Sequence, residues 1–285
     1  MFGYGQRAEC IMSNHENVTD LEEVVRSLGE AGRRLSEIDA TEGAAGNLSV
    51  CVRGSVRPHP EFVHSEIIEL PLPVPDIAGA TLVVSGSGSR LRDIREDPTA
   101  CLGCLEVQAG GITAKLRYSA RRNFARLTSE FNSHLGVHYD HGVRAGVEFH
   151  AVVHGQPRRL TYLSHVAEYQ NTDYLNQRLL RWQPEAIVNL PEGLAIVPFI
   201  VPGSLELMHA NVRALRECKV AIWSKHGLMA RSSSSVMSAV DLVEYVETAA
   251  VYECLDLSLG QRAQGLTSAE IRAICSAYDI KQNIF

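Results

Sequence analysis

A series of short apolar runs, most of them cut off by glycine or proline, limits this chain more than any other feature. They are GNLSVCVRG (46–54), ATLVVSGSG (80–88), LGCLEV (102–107), ITAKLRYS (112–119), VEFHAVVHG (147–155), EAIVNL (185–190), GLAIVPF (193–199) and KVAIWSKHG (219–227). Apolar runs of this length between turn-forming residues read as strands, and QAGG (108–111) joins two of them as a hairpin. The proline-rich stretch 54–80 predicts loop, with a short strand around 62–69. Helical spacing appears elsewhere. Leu21, Val24, Val25, Leu28 and Leu35 line one face of a helix over 17–38, with Thr19 and Glu22 as its capping box. TSEFNSHLGVHYD (128–140) opens a second helix, and SLELMHANVRALREC (204–218) forms a third. SVMSAV onward forms a long fourth helix stopped at Gly260, and LTSAEIRAICSAYDI (266–280) a last one, boxed by Thr267 and Glu270. Strands in runs with helices before, between and after them predict an α/β domain, with helices on both faces of a mixed or antiparallel sheet.

Size and charge narrow the function. The chain has 285 residues, 45% of them hydrophobic, which is enough for one large core. We expect a disordered lead over 1–15, with Met12 a candidate for the true start, and one domain over 16–285. No apolar run approaches the roughly 20 residues that span a bilayer, and the N-terminus has no continuous apolar core of the kind a secretory signal needs. A net charge of −6 gives no general attraction to nucleic acid, so an anionic substrate must be held by a local site. The seven scattered cysteines read as buried reduced thiols of a cytoplasmic protein. Cys101 and Cys104 form a C-x-x-C, but no second pair exists to complete a structural zinc site.

Two strands end in His-Gly. His154 closes one and His226 the other, which suggests a shared centre. Alone, a strand-end histidine is more often a satisfied structural residue. Gln156 stands two residues after His154, so both side chains point to one side, roughly 6–7 Å apart along the strand. His150 points the same way but lies roughly 13 Å from His154 along an extended strand, too far to share an ion. Glu130 follows Thr128 and Ser129 at a helix start, where backbone amides can hold an anion. Ser87 and Gly88 belong to a Gly/Ser turn that offers amides and hydroxyls to a phosphate, although such turns are usually only turns. His134, His138 and His141 have helical spacing, but the H-E-x-x-H of a zinc helix is absent. Trp182 and Trp223 read as packing anchors, and the basic stretch KLRYSARRNFAR (115–126) as a solvated hairpin and loop.

Taken in order, GNLS, VVSGSGSRLRDI, TSEFNSH, VVHGQP, LPEGLAIVPFIVPGS and IWSKHG resemble the class II aldolase/adducin family, most closely its rhamnulose-1-phosphate aldolase branch. The resemblance covers about residues 18–260. It implies a three-layer α/β/α sandwich around a largely antiparallel sheet, and a homotetramer with sites near subunit interfaces. It places His154 and His226 on two of the three zinc-binding histidines and Glu130 on the acid–base glutamate. Asn47, Ser87, Gly88, Thr128 and Ser129 fall on or beside positions that hold the substrate phosphate. The histidine that pairs with the first ligand is missing, and Gln156 stands in its place. An amide oxygen is a weaker ligand for zinc than imidazole, so such a site is expected to hold zinc less tightly or to accept manganese, cobalt or magnesium. The implied activity is metal-dependent cleavage of a small ketose 1-phosphate to dihydroxyacetone phosphate and an aldehyde. A sugar-phosphate epimerase or dehydratase and a non-catalytic, adducin-like assembly module are the alternatives.

Overall fold

The computed structural model describes residues 18–282, 284 and 285; the expected lead over 1–15, with Met12, lies outside the described residues. The strands are β1 (Thr19–Asp20), β2 (Asn47–Val52), β3 (Val56–Arg57), β4 (His64–Glu69), β5 (Thr81–Ser85), β6 (Leu102–Val107), β7 (Thr113–Tyr118), β8 (Phe149–Gly155), β9 (Ala195–Val197), β10 (Val220–Trp223) and β11 (Gly227–Ser232). The helices are α1 (Leu21–Glu37), α2 (Pro98–Cys101), α3 (Phe131–Ala145), α4 (Arg158–Leu163), α5 (Thr172–Leu179), α6 (Pro184–Asn189), α7 (Leu205–Glu217), α8 (Val236–Ser258) and α9 (Ser268–Ala277).

Nine strands form one sheet in the order β4-β7-β6-β5-β2-β8-β11-β10-β9. Every neighbouring pair is antiparallel except β9 with β10. Helices cover both faces. Ala151 and Val153 of β8 enter one core with Leu48 and Val50 of β2 and the apolar sides of α1 and α8. Val152 enters the opposite core with Val137 of α3, Leu207 and Leu215 of α7, and Trp223. A third cluster packs Leu82 and Leu105 under Phe131 and Leu135 at the start of α3. This is the expected three-layer sandwich. Side chains alternate across a strand, so His150 and His154 share the α3 face of β8 with Val152, while Asn47 and Ser49 share that face of β2.

Three local expectations are corrected. EAIVNL is not a strand: Pro184–Asn189 is helical, with Pro184 at its first turn and Ala186 and Ile187 buried. A short apolar run does not reveal its own period, and a proline at the first helical position decides for a helix. β11 was not expected at all, because its apolar residues give way at once to Arg231 and a serine run. Pairing overrides that pattern: β11 lies inside the sheet between β8 and β10. The Thr19–Glu22 box does not form. Asp20 caps α1 by accepting from the Glu22 amide, and Thr19 pairs with Val56 in a two-residue bridge. The box at Thr267 and Glu270 does form.

Candidate metal and catalytic centre

His154 sits one residue before the end of β8, opposite Asn47 of β2 and Met229 of β11. His226 lies in the tight turn that joins β10 to β11. Its backbone amide donates to Trp223 O, and the preceding Lys225 takes a left-handed φ of 64°. The turn presses against β8 at Gly227, where a Cβ would meet Gly155 O at 2.4 Å. Glu130 is the N-cap of α3. Three remote segments therefore converge. Glu130 Oε2 lies 3.5 Å from His154 Nε2, and Oε1 lies 3.6 Å from His226 Nε2. One ligand atom from each of the three residues lies within 4.8 Å of the others.

The hydrogen bonds define which imidazole nitrogens face inward. A carbonyl only accepts, so the 2.8 Å contact from His154 Nδ1 to Leu228 O puts a proton on Nδ1 and turns Nε2 toward Glu130. His154 also stacks on the buried Trp223 at 4.7 Å between centroids, and Trp223 donates to Asn211 Oδ1 at 2.8 Å. Trp223 is thus the wall behind His154 as well as a packing anchor. His226 Nδ1 is buried without a hydrogen-bond partner. Burial, together with the neighbouring His154, pushes the His226 imidazole down to about 4. Burial also works against ionisation of Glu130. Attraction to His154 and donation from Asn47 outweigh it, so the carboxyl is held below its ordinary value. Two inward-facing imidazole nitrogens beside a carboxylate are donors of the kind a borderline divalent cation takes, and the residues fit such an ion.

The other expected residues divide. Gln156 donates its backbone amide to Ala40 O at 2.6 Å, and its Cγ would lie 3.1 Å from a Cβ at Gly227. Its side-chain amide makes no hydrogen bond among the described residues. Ser87 and Gly88 lie in the turn after β5, where Ser87 N donates to Arg126 O and Gly88 adopts a φ of 84°. The pairing of Gly86 with Leu127 brings this turn beside Thr128 and Ser129. A cavity of about 710 Å³ opens beside Thr128 and Ser129, lined also by Arg126 and Asn132 but not by Ser87, Gly88 or Asn47. Asn47 is engaged at both ends: its Nδ2 donates to Glu130 Oε2 at 2.9 Å, and its Oδ1 contacts His134 Nε2. His134 and His138 are fully buried and, among the described residues, belong to no three-ligand cluster. Cys101 and Cys104 are buried free thiols, and burial pushes Cys104 up to about 12.

Sequence reading missed Ser49 and the chain it makes with His134, His138 and His150. Only the histidines left a signal: His134 and His138 are four apart on one helix face, and His150 shares a strand face with His154, whereas Ser49 is placed by strand pairing alone.

The family model described as Class II Aldolase and Adducin N-terminal domain matches residues 26–254. The chain belongs to the class II aldolase and adducin family. Among curated members of the family, rhamnulose-1-phosphate aldolase from Klebsiella pneumoniae subsp. pneumoniae is 26% identical over 243 residues, 84% of this chain and 87% of that one. The enzyme of the same name from Yersinia pseudotuberculosis is 26% identical over 221 residues, 77% of this chain and 79% of that one. Among solved structures, a sugar-phosphate aldolase from Thermotoga maritima superposes with a TM-score of 0.72 at 28% identity, covering 86% of this chain and 99% of that one. An L-fuculose 1-phosphate aldolase at 19% identity and a TM-score of 0.59 shares the fold. No helix of the described residues is long and apolar enough to cross a membrane.

Proposed function

We propose that this class II aldolase family member is a cytoplasmic, divalent-metal-dependent lyase that cleaves a small ketose 1-phosphate to dihydroxyacetone phosphate and an aldehyde. The observation that carries the reading is the meeting of Glu130, His154 and His226 within one coordination sphere. His154 and His226 would hold the cation through their Nε2 atoms, and the Leu228 carbonyl would orient the first of them. A bound cation supplies the positive charge that stabilises an oxyanion developing as the carbon–carbon bond breaks. Glu130, ionised and buried beside that charge, takes and returns the proton at the nucleophilic carbon. The paired turns at Ser87–Gly88 and Thr128–Ser129 hold the phosphate and so fix which end of the ketose reacts. Asn47 serves that end only at the cost of its bond to Glu130.

Gln156 is the departure from the family's ligand set, and it favours a site of reduced zinc affinity. Elemental analysis of untagged protein, followed by retro-aldol assays on rhamnulose, fuculose and ribulose 1-phosphates with added Zn²⁺, Mn²⁺ or Co²⁺, tests the reading. Bound metal with cleavage supports it. Metal with epimerised or dehydrated product would transfer the site to a different reaction of the same family, and neither metal nor turnover would leave a binding module. A homotetramer is the expected assembly, to be read by light scattering.

A further inference from the structure

Behind Glu130 runs a line of buried polar side chains that, beyond Asn47, the proposed reaction does not use. Asn47 follows Glu130, then His134, Ser49, His138 and His150, none more than 7% exposed. Asn47 Nδ2 donates to Glu130 Oε2 at 2.9 Å, and Asn47 Oδ1 meets His134 Nε2. Ser49 Oγ lies 2.6 Å from His134 Nδ1 and 2.7 Å from His138 Nε2. His138 Nδ1 lies 2.9 Å from His150 Nδ1.

The order of donors follows from one end. An ionised carboxylate only accepts, so the Asn47 NH₂ faces it and the Asn47 oxygen faces His134. That oxygen needs a donor, so His134 carries its proton on Nε2 and is bare at Nδ1. Ser49 therefore gives its hydroxyl proton to His134 and accepts from His138 Nε2. His138, bare at Nδ1, accepts from His150 Nδ1–H. Each link demands a neutral imidazole with one donor and one acceptor. Burial provides that state, pushing His134 down to about 3 and His138 and His150 well below the ordinary histidine value. The reverse order would turn the Asn47 oxygen against the carboxylate, two acceptors face to face. Nor does the line conduct protons. A primary amide passes a proton only through its imidic form, and His150 Nε2, at the far end, is buried with no partner.

We propose that His134, Ser49, His138 and His150 are positioning residues, a strut of one polarity that locks the Asn47 amide with its NH₂ toward Glu130. The kinetic consequence rests on the reading of Glu130 as the acid–base group; the lock itself does not. The test compares wild type with His134→Gln, which can still donate to Asn47 and accept from Ser49, and with His134→Leu, which can do neither. Ser49→Ala, a smaller change, breaks the line one link further on should His134→Leu fail to fold. In ¹⁵N spectra at pH 7.5, His134 and His138 should be bare at Nδ1 and His150 at Nε2. The Asn47 NH₂ pair should be protected from exchange in wild type and His134→Gln, and exposed in His134→Leu and Ser49→Ala. Turnover should fall roughly tenfold to hundredfold in His134→Leu, the usual effect of losing an orienting partner, with KM and metal content nearly unchanged and with rescue in His134→Gln. A His134 bare at Nε2, or an Asn47 signal indifferent to His134→Leu, overturns the proposal. Wild-type protein without retro-aldol turnover overturns the reading of Glu130 instead, and the spectra still decide the lock.

Discussion

At the scale of single residues, Glu130 and its two histidines separate by role. Glu130→Ala should lower turnover by roughly 10²–10⁴-fold, the usual contribution of a general acid–base group, while leaving most of the metal in place. His154→Ala and His226→Ala should empty the site, because each removes an imidazole donor, and elemental analysis would expose an error if occupancy stayed full. Gln156→His adds an imidazole two residues beyond His154. Zinc affinity should rise by about tenfold or more, as measured by competition with a chromogenic chelator. These residues were legible because His-Gly at a strand exit and Thr-Ser-Glu at a helix start are local patterns. Ser49 was not. Its importance comes from standing opposite Val152 on the neighbouring strand, a pairing that no window of sequence contains.

At the scale of elements, the contact of α1 with the turn at Leu91–Asp93 depends on Gly32. A Cβ there would fall 2.3 Å from Leu91 O, backbone that cannot turn aside as a side chain can. Gly32→Ala should cost roughly 1–3 kcal/mol, the usual penalty for overfilling a packed core, whereas Gly54→Ala, with open space around it, should be near neutral in urea unfolding. The long amphipathic elements α1, α7 and α8 were readable because their apolar residues recur at helical spacing. α6 and β11 were misread for opposite reasons. One is a short apolar run that its proline turned into a helix, and the other a half-polar run that its neighbours made a strand. Arg231, which breaks the apolar pattern of β11, donates from Nε to Leu215 O and is half-buried.

Across the whole molecule, the neutral histidines make stability depend on pH. His134, His138 and His150 lie below the ordinary value of 6.5 in the fold, while the unfolded chain protonates them near it. The unfolded state therefore binds more protons below 6.5, and stability falls as the pH drops through that value toward about 3. Each histidine should cost roughly 1 kcal/mol per pH unit between 6.5 and its own depressed value, so the urea midpoint at pH 5.5 should fall well below that at pH 7.5. A flat midpoint would mean that these rings are charged or exposed. The layered architecture was visible from the order of runs, but the sheet's sequence of neighbours was not, since β11 threads between the strands that flank it. That threading has a further effect. Leu228 of β11 holds the ring of His154, and the turn leading into β11 delivers His226, so the spacing of the two histidines is the register of one strand against β8. A slip of one residue would reverse every side chain of β11. A chain misassembled in this way would first part His226 from His154, well before its helices showed any loss.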